Sequence, residues 1–374
     1  MNIVFLTRYD PNNLNIWSGT LLHVNSKLKE KHNIVIIGSE IFKQFRVFSI
    51  DNIANEIVFP SKHLNVINKL LSERINNLDF DLVFFGDLFF TPLEIEIPLV
   101  HFTDLTYEQT KNYYFKTDEI LNDSCLKYEK NLLDSSFKII YCSNWIKELA
   151  IKIYDVDSSK IEVVELGANI PSPNNYCINN YTDICKLLFI GKDWERKGGD
   201  MMLEIYEILK NDNFPCSLTI IGSGNKEIDI NDSHFTVYPF LDKTNPTDLE
   251  KLCNILSESH FLVLPTKFDA FGIVFCEASA YGVPSISADV GGVSQAIKEG
   301  KNGYLLPSDA TVTDYAEKIK DVFSDKDHYI KLRQSSRKEY ETRLNWDIWG
   351  EKVNKILDDA VREFQKLRTF NHEL

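Results

Sequence analysis

No apolar run in this chain approaches the roughly 20 residues needed to span a bilayer, so it is not read as an integral membrane protein. The opening stretch, MNIVFLTRYDP, lacks a basic leader and a small-residue cleavage site, and reads as a first strand rather than a signal peptide. Positive charge is in short supply. Across 374 residues there are 41 Lys and Arg against 55 Asp and Glu, a net charge of −14. Residues 1–180 hold 17 cations against 23 acids and the remainder 24 against 32, so neither half has the basic excess that nucleic-acid binding needs. The seven cysteines (Cys125, Cys142, Cys177, Cys185, Cys216, Cys253 and Cys276) form no CxxC pair and have no His partner at zinc spacing. They read as reduced thiols of a cytosolic protein, not as a disulfide framework or a metal site. Also missing are a Gly-Lys-Ser/Thr phosphate loop, a Gly-x-Ser-x-Gly elbow and a His-Glu-x-x-His pair. Gly222-Ser223-Gly224 starts like a dinucleotide fingerprint, but Glu227 stands where the third Gly belongs, which argues against a nicotinamide dehydrogenase. Asp155-Val156-Asp157 sits in a polar turn and reads as a helix-end feature, not a metal-diphosphate site. No internal repeat or low-complexity tract is present.

What the chain does have is length for two domains and a strand–helix alternation that runs through it twice. The first series has strands at IVFL (3–6), NIVIIG (33–38), LVFF (82–85), PLVHF (98–102), KIIYC (138–142) and IEVVEL (161–166), with a helix near 20–31. The segment PSPNNYCINNYTD (171–183) has no periodicity and reads as an interdomain linker. The alternation restarts with KLLFIG (186–191), a helix at 199–210 and SLTIIG (217–222). HFTVYPF, HFLVL, a helix over 272–281, VPSIS, a helix over 292–298 and GYLL follow. Strands that are apolar throughout imply parallel sheets covered on both faces, hence an α/β protein of two Rossmann-like domains with a cleft between them. The expected domains are residues 1–175 and 183–345, with a final helix over about 346–374 returning towards the first. The apolar segment 63–76, with Lys62, Lys69 and Arg74, reads as a surface helix with solvated cations; it is also the best local candidate for contact with acidic lipid.

Ligands of such sheets sit at the carboxyl ends of the strands, and three loops there carry candidate chemistry. The most informative is within 261–306. A strand, Phe261–Leu264, leads through Asp269 to Phe271-Gly272, which opens a helix carrying Glu277. Uncapped amides at a helix start favour an anion, and a Gly there permits close approach of a ligand. Carboxylates on either side can accept hydroxyls, an arrangement suited to a ligand with phosphate in the middle and polyols at both ends, as in a nucleotide-sugar. The second loop is Gly191-Lys192-Asp193-Trp194-Glu195-Arg196-Lys197-Gly198-Gly199, where three cations could neutralise a diphosphate or simply be solvated. The third is Trp17-Ser18-Gly19-Thr20, where Gly19 could admit a phosphate, or Ser18 or Thr20 could serve as an ordinary helix cap.

Taken together, the loops resemble glycosyltransferase family 4, the large family of retaining GT-B enzymes, with the bacterial surface-polysaccharide type as the nearest setting. The resemblance covers essentially the whole chain, including VELGAN (164–169) and the helix opening at Trp346–Trp349. It is strongest over 186–306, with IGKDWERKGG, the acid-x7-acid spacing of Asp269 and Glu277, the Gly291-Gly292 turn and Asn302-Gly303-Tyr304. It implies that Lys197 contacts the donor diphosphate and that Lys192, with Arg196 beside it, stands where many members have Arg. It further implies that Asp269 faces the donor sugar, that Phe271, Gly272 and Ile273 offer amides, and that Glu277 holds the ribose hydroxyls. Tyr238 to Leu241, including Phe240, falls where the base is held; Gly19 and Thr20 fall near the donor phosphates; Asp104 falls where many members have a His near the anomeric carbon.

Four departures from the family pattern stand out: Asp269 for the usual Glu, Lys192 for Arg, Asp104 for His, and Gln295 at a position often Glu. Lys for Arg exchanges a planar fork for a point charge. The nearest histidine, His101, belongs by alternation to a strand. The mechanism implied is same-face transfer through an oxocarbenium-like sugar, with Lys197, Lys192 and helix-start amides stabilising the leaving diphosphate, no metal or other cofactor required, and domain closure excluding water. The implied partners are a UDP- or GDP-sugar donor and a glycan or lipid-linked acceptor, with no nucleic acid. The expected location is the cytoplasm, including the inner face of the membrane if the chain associates with it peripherally. Acceptor recognition would fall to the loops near 8–20, 60–75 and 104–117; there Tyr107, Tyr113, Tyr114 and Phe115 could stack on a sugar ring but are better read as helix packing. The competing readings are a nucleotide-sugar epimerase or a phosphorylase of the same fold, and a non-catalytic partner subunit.

Overall fold

The structure, a computed structural model, describes residues 1–44, 61–86, 93–114, 123–173, 181–228 and 232–372. Phe115 and residues 174–180 of the expected linker, and the side chains of Lys62, Tyr113 and Tyr114, lie outside the described residues. The chain divides into two units, Met1–Val164 with Trp349–Leu374, and Glu165–Ile348.

The first unit is a six-stranded parallel sheet in the order β2-β1-β3-β4-β5-β6. Its strands are β1 (Asn2–Thr7), β2 (Asn33–Gly38), β3 (Leu82–Gly86), β4 (Leu99–Thr103), β5 (Lys138–Tyr141) and β6 (Ile161–Val163). The helices are α1 (Thr20–Lys29), α2 (Ser39–Gln44), α3 (Ser61–Asn76), α4 (Tyr107–Tyr114), α5 (Asp123–Ser135) and α6 (Asn144–Tyr154). The central strands β3 and β4 are buried at every position, which is why they read as continuous apolar runs without alternation. His101 is wholly buried in β4 with its ring stacked on Phe85, a core residue as its position in the strand implies.

The second unit has the same build, in the order β12-β11-β10-β7-β8-β9. Its elements are β7 (Cys185–Ile190), α7 (Trp194–Lys197), α8 (Gly199–Asn211), β8 (Cys216–Ile221), β9 (Phe235–Tyr238), α9 (Pro246–Glu258), β10 (Phe261–Leu264), α10 (Ile273–Ala280), β11 (Ser285–Ala288), α11 (Val293–Ala296) and β12 (Gly303–Leu306). Two helices complete it, α12 (Val312–Ser324) and α13 (Lys326–Thr342). Local chemistry sets many of the ends. Asn245 caps α9 with Pro246 in its first turn, and Thr311 and Asp314 form a capping box on α12. Helix α8 buries Met202, Ile205, Tyr206 and Leu209 along one stripe. Helix α10 is buried from Val274 to Ala280 and so has no polar face at all.

The division falls after Val164 and not in the Asn-rich stretch, and β6 stops at Val163 instead of running to Leu166. The residues that follow β6 are committed to the second unit. The Cys276 thiol reaches the Leu166 carbonyl, the Tyr281 hydroxyl donates to the Pro171 carbonyl (2.8 Å), and Trp346 Nε1 donates to Asn169 Oδ1 (3.0 Å). Gly167 has no room for a Cβ, which would meet the Trp346 backbone nitrogen. The last helix, α14 (Trp346–His372), begins in the second unit and continues into the first, where Trp349 packs edge-on against Phe102 and Phe364 against Phe137. Among the described residues no helix is long and apolar enough to cross a membrane.

Candidate active site

The order of the second sheet places β8 on one side of β7 and β10 on the other, so the chain reverses its direction of growth between β7 and β10. That switch point, outside the carboxyl ends of the strands, is where open α/β sheets bind ligands. The two loops that leave β7 and β10 meet there.

The β7 loop is shaped by its glycines. The stem of Lys197 lies across Gly191, where a Cβ would come within 2.9 Å of Lys197 Cβ. Gly198 ends α7 in a left-handed conformation (φ +79°) against the Pro265 carbonyl, and Gly199 faces the ring of Trp194. Asp193 caps α7 and also binds the Arg196 guanidinium (3.0 Å). Arg196 then donates to the Phe268 carbonyl (2.8 Å), while its own carbonyl accepts from the Lys267 N–H (2.8 Å). Arg196 is therefore a clamp between the loops, and its charge is already engaged there.

With the loops joined, the Lys197 ammonium forms an ion pair with Asp269, both side chains largely buried. Asp269 is fixed from behind by the Gly291-Gly292 turn. The Gly292 N–H donates to the Asp269 carbonyl (2.9 Å), and a Cβ on Gly291 (φ +57°) would strike that same oxygen. On its other side stands Gly272 (φ +87°), which begins α10 without any side-chain cap. A Cβ at Gly272 would lie 3.6 Å from an Asp269 carboxylate oxygen, so the acid and the bare helix start are adjacent. Phe271 is buried and Ile273 half-buried at this start.

Glu277, one turn into α10, is only 2% exposed, and it forms an ion pair with Lys243 from the loop after β9. Sequence reasoning does not single out Lys243. Its surroundings, Asp242-Lys243-Thr244-Asn245-Pro246, carry a turn and helix-start signature, but nothing local points to a partner 34 positions away. Lys192 places its ammonium 5.2 Å from the centre of the half-exposed Phe240 ring, and Lys251 lies over Tyr238 at the same distance. Gln295 donates to Glu165 (2.9 Å). The remaining candidates belong to the first unit. Gly19 is itself the N-cap of α1 (φ +92°), so neither Ser18 nor Thr20 occupies the cap position. Asp104 follows β4 and is half-buried. Asp155 and Asp157 terminate α6 and cap the short turn after it, as their polar context implies.

Residues 179–339 match the family model described as Glycosyl transferases group 1. A D-inositol 3-phosphate glycosyltransferase of Paenarthrobacter aurescens is 24% identical over 243 residues, 61% of this chain and 59% of that protein. The chain thus spans about three fifths of the length of this curated relative. Among solved structures, a glycosyltransferase from Rickettsia africae superposes with a TM-score of 0.65 at 17% identity, covering 96% of this chain and 98% of the other. The Anabaena protein HepE in complex with UDP-glucose superposes with a TM-score of 0.61 at 13% identity, covering 96% and 100%. At these identities the structural likeness establishes architecture. The chain has the GT-B fold, and the residues matched by the family model lie within its second unit.

Proposed function

We propose that this protein is a retaining glycosyltransferase that moves a sugar from a nucleotide-diphosphate donor, UDP- or GDP-linked, to a glycan or lipid-linked acceptor in bacterial polysaccharide assembly. The observation that carries this reading is the convergence of Lys197, Asp269 and the uncapped start of α10 at the switch point, with Glu277 buried one turn further on. The family match over 179–339 supports it, as does the likeness in fold to a protein solved with UDP-glucose.

In this reading Lys197 and the first amides of α10 receive the negative charge that grows on the diphosphate as the glycosidic bond breaks. Preorganised charge of this kind in a water-poor site is usually the largest contribution to such catalysis. Lys192 leaves Phe240 to join them. Asp269 accepts sugar hydroxyls while holding the Lys197 ammonium in place, and Glu277 accepts the ribose hydroxyls. The leaving phosphate takes the acceptor's proton, so no protein carboxylate is needed as nucleophile, and the lysines supply the positive field without a metal.

The test is to incubate the protein with UDP- and GDP-sugars and candidate acceptors and to follow nucleotide release and product. Full turnover by both Lys197→Ala and Glu277→Ala would sink the site assignment. Nucleotide binding without turnover of any donor would favour a non-catalytic role.

A further inference from the structure

We infer that Lys243 is a positioning residue for nucleotide binding, acting by holding the Glu277 carboxylate aimed at the ribose. This rests on the nucleotide-sugar reading above and names a residue that neither the motif nor the resemblance singles out.

The argument starts with Glu277. A carboxylate on a helix buried all round is costly to ionise unless a cation or several donors meet it. Among the described residues the cation that meets it is Lys243, whose ammonium binds Glu277 Oε1. The exposures are unequal, 3% for the glutamate side chain and 27% for the lysine. Lys243 is therefore the partner of the pair that reaches solvent, while the acid is enclosed.

The loop that presents Lys243 is built to hold it there. Asp242 Oδ1 accepts from both the N–H and the hydroxyl of Thr244 (2.8 Å each), and the Asp242 N–H donates to Asp248 (3.0 Å). The Asn245 N–H donates to the Asp242 carbonyl (2.9 Å), while the Asn245 side chain caps α9. The Thr244 backbone N–H, then its hydroxyl, hold the Asp242 carboxyl below the usual carboxylate range, with Lys192 adding to the effect. A lysine in the middle of such a turn has little backbone freedom, and only its side chain can move. A carboxylate offers about four acceptor positions and an ammonium fills one, so the paired carboxylate can still receive a diol.

The experiment is a double-mutant cycle read by calorimetric binding of UDP, GDP and ADP to the full chain. Lys243→Met and Glu277→Gln should each weaken the nucleotide that the wild type binds by about tenfold, roughly the worth of one charge-assisted hydrogen bond. The double variant should bind no more weakly than the worse single one, because Lys243 then has no acid to hold. Lys243→Arg should restore most of the affinity, and in turnover Lys243→Met should raise the donor KM with kcat little changed. Additive losses, or wild-type affinity in Lys243→Met, would overturn the role of Lys243 and leave the nucleotide reading standing. Failure of the wild type to bind any of the three nucleotides would overturn that reading and the inference with it.

Discussion

Lys197 and Asp269, 72 positions apart, are joined as an ion pair at the point where the second sheet changes direction. The pair depends on four glycines that would each collide with a neighbour if they carried a Cβ: Gly191, Gly198, Gly272 and Gly291. In the proposed reading a donor diphosphate shares Lys197 with Asp269, so the acid sets both the position and the effective charge of the cation.

Lys197→Met is expected to lower turnover by about a hundredfold or more, the scale of removing one preorganised donor from a developing oxyanion. Asp269→Asn should keep the fold and lose activity by a comparable factor. Steady-state kinetics with the donor identified in the screen, set beside circular dichroism of each variant, provide the check. Wild-type kcat/KM in either variant would count against the pair.

Gly291→Ala should act at a distance from any substrate. Its Cβ would press on the Asp269 carbonyl, and its φ of +57° is unfavourable for alanine. A displacement of Asp269 of the order of 1 Å should cost about 10- to 100-fold in kcat. A crystal structure of the variant would reveal whether Asp269 has moved; an unmoved Asp269 with reduced kcat would contradict the support role of the Gly291-Gly292 turn.

Two glycines with similar backbone angles should respond very differently to alanine. Gly198 (φ +79°) abuts the Pro265 carbonyl, whereas Gly224 (φ +60°) has nothing within 4 Å of its would-be Cβ. Gly224→Ala should cost only the left-handed conformation, about 1 kcal/mol. Gly198→Ala adds a backbone collision and should cost about 3 kcal/mol or fail to fold. Urea unfolding of both variants decides the comparison.

The first unit contains a pH-sensitive group of its own. Glu129 is buried beneath the start of α4, where both its oxygens accept from the Tyr107 N–H (3.0 and 2.9 Å). Burial pushes its carboxyl up to about 8, against the opposing effects of hydrogen bonds from Tyr154 and the Tyr107 backbone. Between the ordinary glutamate value and about 8, the unfolded chain has released a proton that the folded chain keeps. This contribution is therefore complete at low pH and is lost as pH rises towards and past 8. Thermal midpoints from pH 5 to pH 9 should fall more steeply for the wild type than for Glu129→Gln, and parallel curves would refute the assignment.

Much of the architecture is legible in the chain because it rests on local patterns. Runs such as LVFF and FLVL are buried on both faces, and Asn245-Pro246 and Thr311-Asp314 are helix starts written in adjacent residues. IEVVEL misleads for the same reason. Its apolar pattern continues past Val163, but the partner for Leu166 is the Cys276 thiol, 110 positions later, in the other unit's core.

The candidate site divides in the same way. Residue type and spacing point to Asp269, Gly272, Glu277 and the basic loop after β7, since a helix start with flanking acids and a run of cations are local features; within that loop it is the family resemblance that selects Lys197. Three relations come only from the folded chain: Arg196 as a clamp on Phe268, the Gly291-Gly292 turn as the support of Asp269, and Lys243 as the partner of Glu277. Each joins residues that follow different strands, which meet only because parallel strands bring the segments after them to one edge of the sheet, about 5 Å apart per strand. The chemistry available to this protein was set by its sequence; which charge meets which, and so which charges remain for a ligand, was decided by the order of the strands.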